Sequence, residues 1–354
     1  MTFTEPAFWL LAVVAYILWL RLGKYQARLA ALFLCSLVFY GAHHWQLLPL
    51  LLGYCLVDWY LARWIERARR PRLVLWAGVF FNIGVLAYFK YTPLLQNTAA
   101  SLRLVSRGAV TDWEIPFGIS FYAFTGIAYL VDVYRHVVAA ERQLLPYSLS
   151  AVFFPHLVAG PILRPQEFLT RLNAESLPEP RSLSTEAVQL IARGLFKKLV
   201  LADRIALAID PFLAHVSDPS TEGVCSLPYI YLYALQIYFD FSGYTDMARG
   251  LGLAFGFRWP ENFDRPYLAT SIQEFWARWH MTLSRFLKDY LYIPLGGNRR
   301  GATRTNINLM LTMLLGGLWH GAAWSFMIWG GLHGFFLVIH RLWSRSSLRA
   351  RLPA

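Results

Sequence analysis

Between Thr305 and His340 the chain runs for 36 consecutive residues without an Asp, Glu, Lys or Arg, yet it places His320 in the middle, within "LLGGLWHGAAW". As one helix this run would be about 54 Å long, whereas a bilayer core about 30 Å thick is crossed by roughly 20 apolar residues. The run is therefore expected to fold back as a helical pair over 305–340. Gly316, Gly317, Gly321, Gly330, Gly331 and Gly334 supply the break or the points of close packing.

Apolar blocks of this kind recur along all 354 residues, of which 56% are hydrophobic and 15% charged. Lipid requires the backbone to satisfy its own hydrogen bonds, so continuous apolar blocks predict spanning helices. A membrane β-barrel would show short alternating segments instead. The fold class expected is all-α: a polytopic transmembrane helical bundle, one integral-membrane domain over 1–354 in contact with the lipid bilayer. Helices are predicted near 6–22, 28–43, 47–64, 73–90, 114–133, 187–213 and 227–256, the last with a break, followed by the pair in 305–340.

The net charge of +12 does not point to nucleic acid, because Lys and Arg fall between the hydrophobic blocks. Three basic residues lie in Arg21–Arg28, five arginines in Arg63–Arg72 and four in Arg341–Arg351. The positive-inside rule places these in the cytoplasm. The segments "GAHHWQ" and "HVSDPSTEG" then face outward, and the amino terminus with them. The first apolar run lacks a basic leader and a small-residue cleavage pattern, so it reads as a retained helix. Cys35, Cys55 and Cys225 are widely spaced in apolar surroundings and read as packing residues.

Two blocks do not read as simple spans. Gln143–Leu163 carries Pro146, Pro155 and Pro161, which a straight helix does not tolerate; a re-entrant or broken element buried in protein is expected. Residues 271–292 place Phe275, Trp276, Trp279, Leu283 and Phe286 at helical spacing, with Arg278, Arg285 and Lys288 opposite. Ser271 and Glu274 form a capping-box start. This predicts an amphipathic interfacial or re-entrant helix, with His280 at the edge of its apolar face.

The nine histidines include no i,i+3 or i,i+4 pair, and His333 and His340 share a helix face without a carboxylate, so no metal site is expected. For His320 a packing role and a chemical role both stand. Glycines thin its helix, Trp319 and Trp324 offer rigid walls, and a neutral imidazole can take a proton from a hydroxyl. Asp240 follows a 17-residue charge-free run and Asp246 lies six residues on. Pairing with Arg249 or Arg258 and a substrate role are both open for them. Arg278 and Arg285 read as a solvated face or as a basic rim for an anionic nucleotide or phosphopantetheine.

The stretches "IPFGISFYAFTGIAYLVDVYR", "FFPHLVAGPILRPQEF", "YFDFSGYTDMARGLGLAFGFRWPENFDRPYLATSIQEFWARWHMTLSRFLKDYLYIPLGGNRRG" and "LTMLLGGLWHGAAWSFMIWGGLHG" closely resemble, in the same order, the membrane-bound O-acyltransferases, in the bacterial branch that modifies alginate. The resemblance implies a central funnel or tunnel, with His320 as the catalytic histidine and His280 as a second catalytic position that places the donor or shapes the tunnel. It implies Trp319, Asp240, Tyr244, Trp276, Arg278 and Trp279 as substrate-binding residues. It further implies no bound cofactor, acetyl-coenzyme A as the acyl-donor substrate, and transfer toward an exported polysaccharide through periplasmic acetyl-relay partners, from the bacterial inner membrane. Two other readings are a D-alanyl transferase fed by a carrier-protein thioester and a non-enzymatic export or channel subunit. A catalytically dead remnant that recruits a partner is a third. The chain stops soon after His340, where members of this branch continue into further membrane helices, so a tunnel wall or docking surface is expected to be absent.

Overall fold

The computed structural model describes residues 3–104, 114–158, 160–172, 183–215 and 227–346. Cys225, the acidic segment beyond His215 that is expected to face outward and the tail from 347 lie outside them. Among the described residues the secondary structure is helical, with no strand. Two helical stretches, Tyr25–Arg67 and Pro71–Ser101, are long and apolar enough to cross a membrane. The chain divides into two compact units, the first built from residues 1–49 and 143–260 and the second from 50–142 and 261–354.

In the first unit, α1 (Pro6–Arg21), α2 (Tyr25–His44) and α6 (Leu144–Val152) surround an aromatic core. Phe8 meets Phe39 at 5.7 Å and Phe154 at 5.8 Å, and Phe153 meets Phe255 at 5.6 Å. The proline-rich block forms only α6 before an irregular stretch leading to α7 (Pro165–Leu169). That stretch is buried from Phe153 to Leu157, and its Phe154 N–H donates to the Ser36 hydroxyl at 3.1 Å. Non-helical backbone at membrane depth is tolerated when protein surrounds it in this way.

The predicted helix 187–213 is α8 (Thr185–Leu195), a π-helical turn over Phe196–Ala202 and α9 (Asp203–His215). It packs on α10 (Leu227–Ala254), which runs without the break expected in it. The two backbones nearly touch. A Cβ on Gly194 would stand 2.6 Å from the Gly243 carbonyl oxygen, and one on Gly250 would stand 2.9 Å from that of Ala187.

The second unit holds α3 (Leu48–Arg67), α4 (Pro71–Ser101) and α5 (Ile119–Tyr134). It also holds α11 (Ile272–Arg278), α12 (Met281–Leu287), a π-turn at Lys288–Tyr292, α13 (Gly301–His320) and α14 (Trp324–Ser344). Helix α4 extends well past the predicted residue 90, carrying Pro93 inside it. Helix α5 begins later than 114 because Gly118 takes a left-handed N-cap conformation, φ +70°. The block 271–292 is not one continuous helix. It breaks at Trp279–His280, with His280 at φ +43°. Asn262 supports the restart: its carbonyl accepts from Met281 N–H at 2.9 Å, and its side chain accepts from the Thr282 hydroxyl at 2.9 Å.

Candidate functional site: an imidazole on an apolar cavity

Three residues, Gly321 to Ala323, separate α13 from α14. The antiparallel return is close because glycines face each other. A Cβ on Gly317 would stand 3.0 Å from the Gly330 Cα and run into the Phe326 carbonyl, and one on Gly334 would meet the Met310 sulfur at 2.9 Å. With so little side chain between the helices, His320, the last residue of α13, projects among large rings. Its imidazole centroid lies 5.0 Å from Trp319, 5.3 Å from Trp329 and 6.1 Å from His280.

His280 is fully buried. The break in 271–292 swings it off the amphipathic face and inward, where it stacks 6.0 Å from Trp319 and 6.4 Å from Phe263. Trp279 turns with it and packs edge-on to Phe263 at 5.1 Å. Trp319 also stacks on Phe124 at 5.3 Å, so α5 backs the same cluster.

The carbonyls at the end of α13 have partners from α4. Lys90 Nζ donates to the Trp319 carbonyl oxygen and, at 3.4 Å, to the Ser120 hydroxyl. The Tyr91 hydroxyl donates to the Leu318 carbonyl at 3.1 Å. A cation at a helix C-terminus is favoured both by the dipole and by the unpaired carbonyls. Lys90 and Trp329 escaped the sequence reading; a lone Lys in the apolar "AYFKYT" of a long span was the available signal for the first.

A cavity of about 360 Å³ opens beside this cluster, lined by His320, Trp276 and Trp329 and by leucines of α12, α13 and α14. Two of its hydroxyl groups are spent within the walls: Ser284 donates to the Trp276 carbonyl at 3.1 Å and Thr312 to that of Asn308 at 2.7 Å. The indole N–H of Trp276 is buried with no acceptor among the described residues. The arrangement offers a proton acceptor, an unspent hydrogen-bond donor and an apolar chamber for a non-polar group.

Of the residues anticipated from sequence, the second unit thus gathers His320, His280, Trp319, Trp276 and Trp279. Arg278 belongs to the ordinary solvated side of α11, 2.6 Å from Glu274. The Ser271 hydroxyl accepts from Glu274 N–H at 3.1 Å, but the reciprocal bonds come from Thr270 rather than Ser271. The Thr270 N–H and hydroxyl, aided by Arg278, hold the Glu274 carboxyl below the usual carboxylate range.

Asp240 and Tyr244 belong to the first unit. Asp240 accepts from Lys198 at 2.5 Å, and the same ammonium reaches Asp203 at 2.8 Å and lies 5.5 Å from the Tyr244 ring. Asp246 takes a bidentate Arg193, both bonds 2.8 Å, and Lys197 at 2.7 Å, while Arg249 stands off at 3.9 Å. Of the pairing anticipated for these acids, Arg249 with Asp246 holds at the long end and Arg258 is corrected; α8 and the π-turn, which lie against α10 through the glycine contact, supply the closer cations. Arg258 pairs with Glu186 at 2.6 Å. Among the described residues no three His, Cys, Asp or Glu groups are gathered as metal ligands.

Residues 139–352 match the family described as the membrane-bound O-acyltransferase family. A probable alginate O-acetylase of Azotobacter vinelandii is 40% identical over 349 residues, covering 96% of this chain and 69% of the relative. A peptidoglycan O-acetyltransferase of Helicobacter pylori is 37% identical, covering 89% of this chain and 65% of the relative. A teichoic acid D-alanyltransferase of Streptococcus thermophilus is 28% identical, with 92% and 78% covered. The chain spans about two thirds of the length of the two acetyl-transferring relatives.

Proposed function

The chain belongs to the membrane-bound O-acyltransferase family, and from that premise we propose that it moves an acetyl group from a cytoplasmic thioester, acetyl-coenzyme A, to a hydroxyl of an exported polysaccharide or of a periplasmic relay protein. His320 is the general base. The observation that carries this reading is its imidazole on the wall of a cavity, between two tryptophans.

In this mechanism His320 takes the proton from the acceptor hydroxyl as the oxygen attacks the thioester carbonyl. The C–S bond then breaks, the thiolate recovers the proton from the imidazolium, and an ester and a free thiol remain. Proton transfer of this kind contributes roughly 10²- to 10⁴-fold, and co-locating the two substrates adds proximity. The Trp276 indole N–H is the donor available to the carbonyl oxygen as it turns negative. His280, packed against Trp319 and His320, fixes the wall on which the base sits. Asp240 keeps a side chain 38% exposed despite the Lys198 pair and, with Tyr244, enters the proposal as a substrate-contacting residue of the first unit.

The one-domain organisation, the outside amino terminus and the inner-membrane location belong to the same proposal, supported by the basic segments between spans. Carrier-protein D-alanyl transfer is the second reading, favoured by the Streptococcus relative. Offering the purified protein labelled acetyl-coenzyme A and D-alanyl carrier protein separates the two. Label should pass from the first; transfer from the second alone would overturn the acetyl reading.

A further inference from the structure

The short turn between α3 and α4 gathers arginines without free acids. The apolar stretches Tyr25–Arg67 and Pro71–Ser101 end and begin there, so the turn stands where the two helices leave the apolar part of a bilayer. Arg67, Arg69, Arg70 and Arg72 are exposed, and none forms an ion pair within 4 Å among the described residues. The acid of this segment, Glu66, is engaged by Arg142 at 3.2 Å and by the Ala140 N–H at 2.7 Å. Charge at a span boundary by itself only sets orientation. Trp59 and Arg63 add a site to it. They lie four residues apart, on one face of α3 with Arg67, and both are half-buried. The Arg63 guanidinium stands over the Trp59 ring, 4.5 Å from its centroid. Its Nε is buried with no acceptor among the described residues, and so is the indole Nε1 of Trp59. A similar pair shows what is missing: Arg28 stands over Trp19 at 5.7 Å, and its Nε donates to the Leu22 carbonyl at 2.6 Å.

Two adjacent buried donors without an acceptor are costly until one joins them. On the adjoining strip of α3, Leu56, Tyr60 and Trp64 are exposed, with the Tyr60 and Trp64 rings 6.2 Å apart. The ligand that answers both features carries a negative acceptor on an apolar chain. Phosphate takes a planar guanidinium through two parallel bonds, the exposed arginines add attraction toward an anionic headgroup, and the aromatic strip takes the chain. A free anion or an acidic protein would leave that strip unused. We propose that the α3–α4 turn binds an anionic phospholipid, its phosphate on Arg63 and Trp59 and an acyl chain along Tyr60 and Trp64.

The test uses the purified full chain in detergent, incubated with mixed micelles of phosphatidylglycerol and phosphatidylcholine of matched acyl chains. Native mass spectrometry reads which lipid stays bound. The native chain should retain phosphatidylglycerol in preference to phosphatidylcholine, and its thermal melt should rise with phosphatidylglycerol alone. Arg63→Gln should weaken retention about tenfold, the scale of one charge-assisted hydrogen bond. Arg63→Lys keeps the charge without the planar fork and should not restore it. Because Arg63 is half-buried, a second variant changes only exposed groups: Arg67→Gln with Arg70→Gln should weaken retention while the lipid-free melt stays as in the native chain. Lys24→Gln removes an exposed charge from the separate basic segment Arg21–Arg28 and should leave retention unchanged. Equal retention of the two lipids, or a loss in Lys24→Gln as large as in Arg63→Gln, would overturn the site in favour of a general attraction of basic segments to anionic lipid. Displacement of bound phosphatidylglycerol by equimolar inorganic phosphate or by an equimolar acidic peptide would overturn the lipid as its occupant.

Discussion

Two helix pairs in this chain are built alike and use the result differently. Helices α8 and α10 approach through Gly194, Gly243 and Gly250, and α13 and α14 through Gly317, Gly330 and Gly334. Each close contact brings polar side chains into an apolar setting. In the first pair those groups are acids and bases that pair with each other: Asp246 with Arg193 and Lys197, Asp240 with Lys198. In the second, the group is an imidazole that borders a cavity. Paired charges hold a fold in place; a polar group left facing a chamber is available to a substrate. In the proposed function the same small-residue packing serves cohesion in one unit and chemistry in the other.

The contrast is sharpest at its two central residues. His320→Ala should lower acetyl transfer by at least 10²-fold while the protein stays folded in the membrane, as judged by its thermal melt in detergent. Asp246→Ala should do the reverse. Removing the buried acid takes the bidentate carboxylate from Arg193 and the carboxylate from Lys197, and breaking such a pair costs about 3 kcal/mol when one partner is half in solvent. The melt should fall by several degrees, with kcat of the folded fraction preserved. A catalytic loss in Asp246→Ala without a lower melt would erase the distinction between the pairs.

Smaller effects refine it. Lys90→Met removes the donor to the carbonyl of Trp319 and frees the end of α13, so kcat should fall about tenfold, near 1.4 kcal/mol, with KM for the donor unchanged. The smallest effect concerns the exposed start of α11. The Glu274 carboxyl is held low by Thr270, so its stabilising contribution is present above the unfolded carboxylate pKa, about 4.3, and is lost as pH falls through the folded value. Melts of Glu274→Gln and the native protein should differ near neutral pH and converge in acid.

Most of the helical skeleton was legible because continuous apolar blocks leave few alternatives in lipid. The return at Gly321 was legible from length alone, and the irregular backbone after α6 from its prolines. What sequence periodicity could not supply was the break at His280. Residues 271–292 keep a helical hydrophobic pattern through that point, and the contacts of Asn262 and Asp264 from a preceding segment hold the break there. The partners of Asp240 and Asp246 were hidden for a similar reason: the contact between α8 and α10 is made by tertiary glycine packing, which favours cations some fifty residues away over the nearby Arg249 and Arg258. The cavity itself was invisible, since its walls come from α11, α12, the π-turn after it, α13 and α14.

The account depends most directly on the imidazole of His320 acting as a base rather than as packing. The decisive measurement is turnover of acetyl-coenzyme A by purified His320→Ala, with and without added imidazole, using a labelled polysaccharide acceptor. The account predicts loss of transfer and partial recovery when imidazole enters the space left beside the cavity; transfer at the native rate without imidazole would contradict it.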